Sequence, residues 1–254
     1  MLLDSTPQKA QIYSMALDRY GLLKQVLTRA RPGQPLTAVW LTEQGVSAQL
    51  AYHYVQAGWL TRLGHGWFLR TGDEPELRLS LAALPGAFHG AFHVGGKTAL
   101  AWHGYQHNLA HRPDTELFTE SPLRLPDWIQ ARFSLTVRRR HLFDDPGLGI
   151  APWHDLPVLC VAEPERAVLE MLWGVPQHQS EEDAAHLVES LFGLRPPLMQ
   201  PLLESCRSVK AVRLFLALAG QATLPVLDEL DLTHVHTGSA TPYVRRHASG
   251  TIRI

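Results

Sequence analysis

The chain has 254 residues, 45% of them hydrophobic, with 23 Lys and Arg against 24 Asp and Glu. This composition is typical of a globular protein of one or two domains and excludes a uniformly basic, histone-like protein. Charges or prolines interrupt every apolar stretch well before the roughly 20 residues that a membrane span needs. The first residues lack the pattern of a secretory signal, so we expect a cytoplasmic protein with no membrane partner. The two cysteines are too few for a disulfide framework or a structural zinc site.

The charges are distributed unevenly along the chain. Residues 1–73 contain seven Lys and Arg and four Asp and Glu, whereas the remaining residues contain 16 and 20. Turn-forming residues follow at Gly72-Asp73-Glu74-Pro75. We therefore predict a small basic domain over residues 1–73 and a larger acidic domain over residues 74–254.

The first domain shows the signals of a winged helix-turn-helix. Apolar residues at helical spacing predict a first helix over Gln8–Arg29 and a second over Leu36–Glu43. A glycine turn and the N-cap residue Ser47 precede a third helix, Ala48–Ala57. Residues 59–70 then form an apolar hairpin that turns at Gly64-His65-Gly66. This order of elements is that of a winged helix-turn-helix.

The third helix has one face suited to DNA. Gln49, Tyr52, His53 and Gln56 project away from its apolar side. These side chains can donate hydrogen bonds to base edges or phosphates, and no acidic residue on the helix repels a polyanion. The alternative is an ordinary solvated face, but the complete helix, turn, helix and hairpin pattern favours DNA contact.

The second domain is predicted to be a mixed α+β domain with a helical second half. The predicted strands are Thr115–Thr119, Phe133–Arg138 and Pro157–Val161. The predicted helices are Leu77–Leu84, Lys97–His103, Pro164–Trp173, Ser180–Phe192, Pro197–Cys206 and Val209–Leu218.

The patterns do not support a catalytic, cofactor or metal site. Gly95-Gly96-Lys97-Thr98 resembles the end of a phosphate-binding loop, but the first glycine of that motif would fall on Ala91. Histidines recur four residues apart at 89/93 and 103/107/111, without the further ligands that a zinc site requires. We therefore expect no catalytic residue, no cofactor and no metal. Nucleotide binding through Lys97 and Thr98 is a minor alternative.

Basic residues also form two clusters within the acidic domain. They are Arg138, Arg139 and Arg140 in the first cluster, and Arg207, Lys210 and Arg213 in the second. Such clusters are usually solvated faces, but on an acidic domain they are candidates for secondary phosphate or partner contacts.

A series of motifs in order along residues 10–235 resembles the AbiEi family of antitoxins, the regulators of type IV toxin–antitoxin pairs. The series includes Leu36-Thr37-Ala38-Val39-Trp40-Leu41, Tyr54-Val55-Gln56-Ala57-Gly58-Trp59-Leu60, Gly95-Gly96-Lys97-Thr98-Ala99-Leu100, Glu163-Pro164-Glu165-Arg166-Ala167-Val168-Leu169-Glu170 and Cys206-Arg207-Ser208-Val209-Lys210-Ala211-Val212-Arg213. The end of the chain departs from the family pattern, because Gly238-Ser239-Ala240-Thr241-Pro242 replaces its basic turn.

The resemblance implies a repressor that binds an inverted-repeat operator of its own operon, with a nucleotidyltransferase-like toxin as its functional counterpart. It implies recognition-helix contacts at Ser47, Gln49, Tyr52, His53 and Gln56, and wing contacts at Arg62, His65 and Arg70. It also makes the glycine run at residues 95–98 a structural turn. The alternative is a protein-interaction module, or an orphan regulator, whose C-terminal domain binds a toxin or another partner.

Overall fold

The computed structural model describes residues 20–85, 92–105, 114–238, 244–247 and 250–253. Over these residues the chain is α+β, as predicted. It divides into two compact units. The N-terminal unit contains the described residues up to 85 together with Leu125–Arg132, and the C-terminal unit contains the rest. No helix in these ranges is long and apolar enough to cross a membrane.

The helices and strands are numbered here in chain order. They are α1 (residues 20–29), β1 (Leu36–Thr37), α2 (Ala38–Glu43), α3 (Ala48–Gln56), β2 (Leu60–Gly64), β3 (Trp67–Arg70), α4 (Leu77–Ala83), β4 (Phe92–Val94), α5 (Gly96–Trp102), β5 (Thr115–Thr119), α6 (Asp127–Arg132), β6 (Leu135–Arg139), β7 (Ile150–Trp153), β8 (Leu156–Ala162), α7 (Pro164–Trp173), α8 (Glu181–Glu189), α9 (Pro196–Ser205), α10 (Val209–Gln221), β9 (Val244–His247) and β10 (Gly250–Arg253). Two short 3-10 helices, Pro225–Glu229 and Leu232–His234, follow α10.

The N-terminal unit is a winged helix-turn-helix with one difference from the prediction. Residues 36 and 37 were predicted to begin the second helix, but they form β1, which pairs with β3 in the antiparallel sheet β1-β3-β2. The helix begins two residues later than predicted, at Ala38, because the Thr37 hydroxyl caps it, accepting a hydrogen bond from the amide of Trp40 at 3.0 Å. The predicted part of the first helix before residue 20 lies outside the described residues.

A segment distant in sequence completes the N-terminal unit. The core of the unit is formed by residues of α1, α2 and α3, among them Val26, Leu41 and Tyr54. Helix α6 joins this unit, and its Trp128 ring lies 5.4 Å from that of Trp67 on the wing. The sequence did not predict α6, because a six-residue helix has few turns in which a periodic pattern can appear.

The C-terminal unit contains a five-stranded sheet of order β6-β5-β4-β8-β7. Strands β4 and β8 are parallel, as are β5 and β6, and the other two pairings are antiparallel. All five residues of β5 are buried, which fits a strand with neighbours on both sides. Strand β7 was not predicted, because Gly149 and Pro152 obscure its alternation.

Helix α7 lies at the centre of the helical second half, which confirms the predicted architecture. Residues 165–172 are all buried. The buried set includes three ionisable residues, Glu165, Arg166 and Glu170. Helices α8, α9 and α10 agree with the predicted helices to within three residues at each end. Cys160 and Cys206 are unpaired thiols.

Candidate nucleic-acid interface

The turn between α2 and α3 sets the orientation of α3, the predicted recognition helix. Gly45 has a φ of 84°, a left-handed conformation that glycine adopts without strain. Val46 is buried, and its amide donates to the carbonyl of Leu41 at 2.9 Å. The Ser47 hydroxyl accepts from the amide of Leu50 at 3.2 Å, so Ser47 is the N-cap of α3. These contacts confirm the predicted turn and cap.

Helix α3 has a buried face and an exposed face. Ala51 and Tyr54 are each only 3% exposed and pack into the core. Its exposed polar side chains are those of Gln49, Tyr52, His53 and Gln56, the four that the sequence predicted to project outwards. The helix carries no acidic side chain. This face therefore combines hydrogen-bonding side chains with the absence of negative charge, a combination that suits contact with DNA.

The wing adds a basic surface to the same unit. Strands β2 and β3 are joined by a turn at His65 and Gly66, and Gly66 has a φ of 73°. The carbonyl of Gly66 accepts from the amide of Ala38 at 2.8 Å, which ties the turn to the first residue of α2. Arg62 and His65 are exposed. The Arg62 Nε donates to the carbonyl of Gly64 at 3.2 Å, so its charge stays available to a phosphate.

The third predicted wing residue, Arg70, has a different environment. Its guanidinium makes hydrogen bonds of 3.0 to 3.2 Å to both carboxylate oxygens of Asp73. Asp73 also accepts from the amide of Gly33 at 2.9 Å. Burial raises the pKa of the Asp73 carboxyl, but the hydrogen bonds from Gly33 and Arg70 lower it further than burial raises it. A phosphate would have to compete with Asp73, so Arg70 is a weaker candidate than Arg62.

Arg29 is a candidate that sequence reasoning missed. It lies at the end of α1, is exposed, and donates through Nη1 to the Gln44 side-chain oxygen at 2.5 Å. Gln44 ends α2, so this contact places a cation beside the turn that precedes α3. The periodicity of α1 shows that Arg29 is on its polar side. Only the packing of α1 against α2 shows that it lies near the turn.

The glycine run at residues 95–98 is a structural turn, in agreement with the prediction. Gly96 and Lys97 donate their amide hydrogens to carboxylate oxygens of Glu170 and Glu116, at 3.1 and 3.2 Å. In a phosphate-binding loop such amides face the phosphate. A Cβ on Gly95 would overlap Glu170 and would lie 2.5 Å from the Phe118 ring. The glycines therefore allow two protein carboxylates to approach the backbone.

Most of the predicted secondary basic residues are engaged within the C-terminal unit. Two of them form ion pairs: Arg138 with Glu116 at 3.1 Å, and Arg207 with Asp144 at 2.7 Å. Two others donate to backbone carbonyls at 2.5 Å: Lys210 to those of Trp173 and Val175, and Arg213 to that of Thr237. Arg139 donates to the carbonyl of Glu120 at 3.3 Å, and the Arg140 guanidinium lies 4.7 Å from the centre of the Trp173 ring. These contacts give the clusters structural roles, and phosphate or partner contact by them stays a prediction.

The histidines that suggested a metal have protein partners where the structure describes them. His93 Nε2 lies 2.7 Å from Glu170 Oε1, and His103 Nε2 lies 3.0 Å from the carbonyl of Ala162. His89, His107 and His111 lie outside the described residues. Across the described ranges, no three His, Cys, Asp or Glu side chains are grouped as metal ligands.

Comparisons with known proteins identify the family. Residues 20–111 match the N-terminal domain of transcriptional regulators described as AbiEi antitoxins, and residues 112–252 match the AbiEi antitoxin regulator of type IV toxin–antitoxin systems. No curated protein matches the chain. The crystal structure of the RV2827C protein from Mycobacterium tuberculosis is similar in fold, with a TM-score of 0.55, 16% sequence identity and 87% of each chain covered. The chain belongs to the AbiEi family of transcriptional regulators, the antitoxins of type IV toxin–antitoxin systems.

Proposed function

We propose that this protein represses its own operon by binding an inverted-repeat operator. Residues 1–73 form the DNA-binding domain, within the compact unit that α4 and α6 complete. The observation that carries the proposal is the exposed face of α3, which presents four hydrogen-bonding side chains and no acid. Helix α3 enters the major groove, where the donor and acceptor pattern of each base pair is distinct.

The proposed roles divide between the helix and the wing. Base edges are read by Gln49, Tyr52, His53 and Gln56. Ser47 orients the start of α3 beside the sugar-phosphate backbone of the DNA. Arg62 and His65 contact phosphates, with Arg29 as an added phosphate contact and Arg70 as a weaker one. Two copies of the domain on an inverted repeat place two such helices in successive major grooves.

The C-terminal domain, residues 74–254, carries the antitoxin role. Family membership supports a functional link to a toxin, and we propose a nucleotidyltransferase-like toxin for that counterpart. The protein acts in the cytoplasm, where its operator is located, and needs no cofactor and no catalytic residue. The weaker alternative is a C-terminal domain that binds the toxin or another protein directly.

Electrophoretic mobility shifts test the DNA-binding proposal. The full chain is titrated against its own upstream region and a scrambled duplex, at 50 and 200 mM salt. We expect tighter binding to the upstream region and a loss of affinity as salt rises, because phosphate contacts release counterions.

Two variants separate the proposed roles. Arg62→Ala should weaken binding to both duplexes and reduce the salt slope by about one. Gln49→Ala should reduce the preference for the upstream region by roughly 1 to 3 kcal/mol and leave the scrambled duplex unaffected. Equal binding of the wild type to both duplexes would overturn the proposal and favour a protein-interaction module.

A further inference from the structure

Helix α3 contains no lysine and no arginine. Among its residues, Ala48 to Gln56, His53 is the only one that can carry a positive charge, and Arg29 and Arg62 lie outside the helix. The commonest specific contact to guanine is made by an arginine or lysine that donates to O6 and N7 together. The exposed face of α3 therefore lacks the side chains that usually select a G·C pair.

Two glutamines occupy the same exposed face of α3. Gln49 and Gln56 are both exposed, and their spacing of seven residues places them within about 20° of one another around the helix axis. No hydrogen bond joins either side-chain amide to another described residue, whereas the Gln44 oxygen accepts from Arg29. A glutamine amide can donate to N7 of adenine while its oxygen accepts from N6. Both glutamines are therefore available to read an adenine.

The distance between the two glutamines corresponds to a short run of base pairs. Seven residues of α-helix rise about 10.5 Å, and successive base pairs are separated by about 3.4 Å. A helix inclined to the groove covers less of the DNA axis, so the two contacted pairs are roughly two or three steps apart. One half-site can therefore present an adenine to each glutamine.

Apolar surface on the same helix suits the base that pairs with adenine. Ala48 is exposed, and Tyr52, about one turn later, is 63% exposed. Of the four bases only thymine carries a methyl group at the major-groove edge, and apolar side chains contact it. His53 does not alter this preference, because its ring can donate to N7 of either purine. The helix thus fits both bases of an A·T pair.

We propose that α3 reads A·T pairs at two positions of each operator half-site, roughly two or three steps apart. Gln49 and Gln56 each bind an adenine through N6 and N7, and Ala48 and Tyr52 pack against thymine methyl groups. The inference rests on the proposed DNA-binding function and specifies the class of sequence that the protein recognises. The wing adds affinity without selecting these pairs, because its proposed contacts are to phosphates.

Selection from a pool of random duplexes by the full chain identifies the bound site. We expect an inverted repeat in which each half-site contains the two A·T positions. A half-site formed by G·C pairs would overturn this inference and leave the repressor proposal standing. Enrichment of no sequence would overturn both, since both require sequence-specific binding.

Modified bases locate the contact in the major groove. Replacing the A·T pairs at the two positions by hypoxanthine·cytosine gives the major-groove pattern of G·C but adds no amino group to the minor groove. Diaminopurine·thymine does the reverse. In mobility shifts, the first replacement should weaken binding at least tenfold, and the second should change it less than threefold. The opposite result would place the readout in the minor groove and overturn the inference.

Arginine substitutions test each glutamine separately. Gln49→Arg and Gln56→Arg should each change the preferred pair from A·T to G·C, by at least tenfold in relative affinity and at different positions of the half-site. Gln221→Arg, at the exposed end of α10, adds the same charge away from α3 and should leave every base preference unchanged. Unchanged preferences in both α3 variants would overturn the assignment. So would the same change of preference in Gln221→Arg.

Discussion

Two arginines near α3 donate to neutral groups, whereas three arginines of the C-terminal unit pair with carboxylates. Arg29 and Arg62 bond to an amide oxygen and a carbonyl. Arg138, Arg166 and Arg195 pair instead with carboxylates, those of Glu116, Glu170 and Glu165. A guanidinium bonded to a neutral acceptor retains its net charge for a phosphate, but one paired with a carboxylate does not.

This difference shows why counting basic residues overestimates a binding surface. The cluster at residues 138–140 looks as basic in sequence as the wing. Its first residue, Arg138, is nevertheless paired with Glu116. The pairing arises because β5 and β6 are neighbouring strands in which Phe118 lies opposite Arg138, and Glu116 is two residues before Phe118 on β5. Arg70 is the corresponding case in the N-terminal unit, since Asp73 follows it within one turn.

The largest effect should come from breaking the buried pairs of the C-terminal unit. Glu170 is 1% exposed and contacts both His93 and Arg166. Glu170→Gln should lower the free energy of unfolding by about 3 to 5 kcal/mol, because it leaves the Arg166 charge buried without its partner. Urea unfolding measures the change. Glu189→Gln, on the exposed end of α8, is the control and should stay within about 0.5 kcal/mol of the wild type.

The glycine turn offers a second test of the same region. Gly95→Ala should cost about 1 to 3 kcal/mol in unfolding free energy, because the added methyl overlaps Glu170 and Phe118. Gly220→Ala is the matched control, since that glycine lies in α10 and no atom of the described residues lies within 4 Å of the position that its Cβ would take. It should stabilise the protein by up to about 1 kcal/mol. An unaffected Gly95→Ala variant would contradict a close approach of Glu170 to the turn.

Acid should destabilise the C-terminal unit through its buried carboxylates. Burial raises the pKa of Glu170, but His93 and Arg166 bring it below its ordinary value of 4.5, and Arg195 does the same for Glu165. A carboxyl with a lowered pKa in the folded protein stabilises it above pH 4.5, and this contribution is lost as the pH falls below that value. Each unit of pKa shift is worth about 1.4 kcal/mol.

Unfolding by urea at several pH values between 7 and 3 measures this dependence. The Glu165→Gln variant should be less stable than the wild type at pH 7 and should lose less stability as the pH falls, since one lowered carboxyl is absent. A parallel decline of both proteins would contradict the contribution of Glu165.

The smallest expected change in stability is at Ser47, where two substitutions distinguish its role as a helix cap from its proposed contact with DNA. Ser47→Ala should cost about 1 kcal/mol, because the amide of Leu50 loses its acceptor, whereas Ser47→Asp keeps an acceptor and should cost little. In mobility shifts, Ser47→Asp should bind the operator at least tenfold more weakly, because a new carboxylate faces the phosphates. Wild-type affinity in the Ser47→Asp variant would remove the start of α3 from the interface.

Local signals in the sequence were sufficient for the helix-turn-helix. The cap at Ser47, the turn at Gly45 and the two faces of α3 depend on residues within a few positions of one another. The same holds for α7 and for β5, which occupy the predicted ranges. The order of motifs along the chain was enough for the family.

Contacts between distant residues required the tertiary structure. Helix α6, which follows residue 124, belongs to the N-terminal unit, and Glu116 and Glu170 meet at the glycine turn. The buried Gln179 amide has no hydrogen-bond partner among the residues that the structure describes. A sequence shows that a side chain is charged, but only the folded chain brings it a partner or leaves it without one. The charge that is available to DNA or to a ligand depends on those pairings, because a partner of opposite charge cancels it.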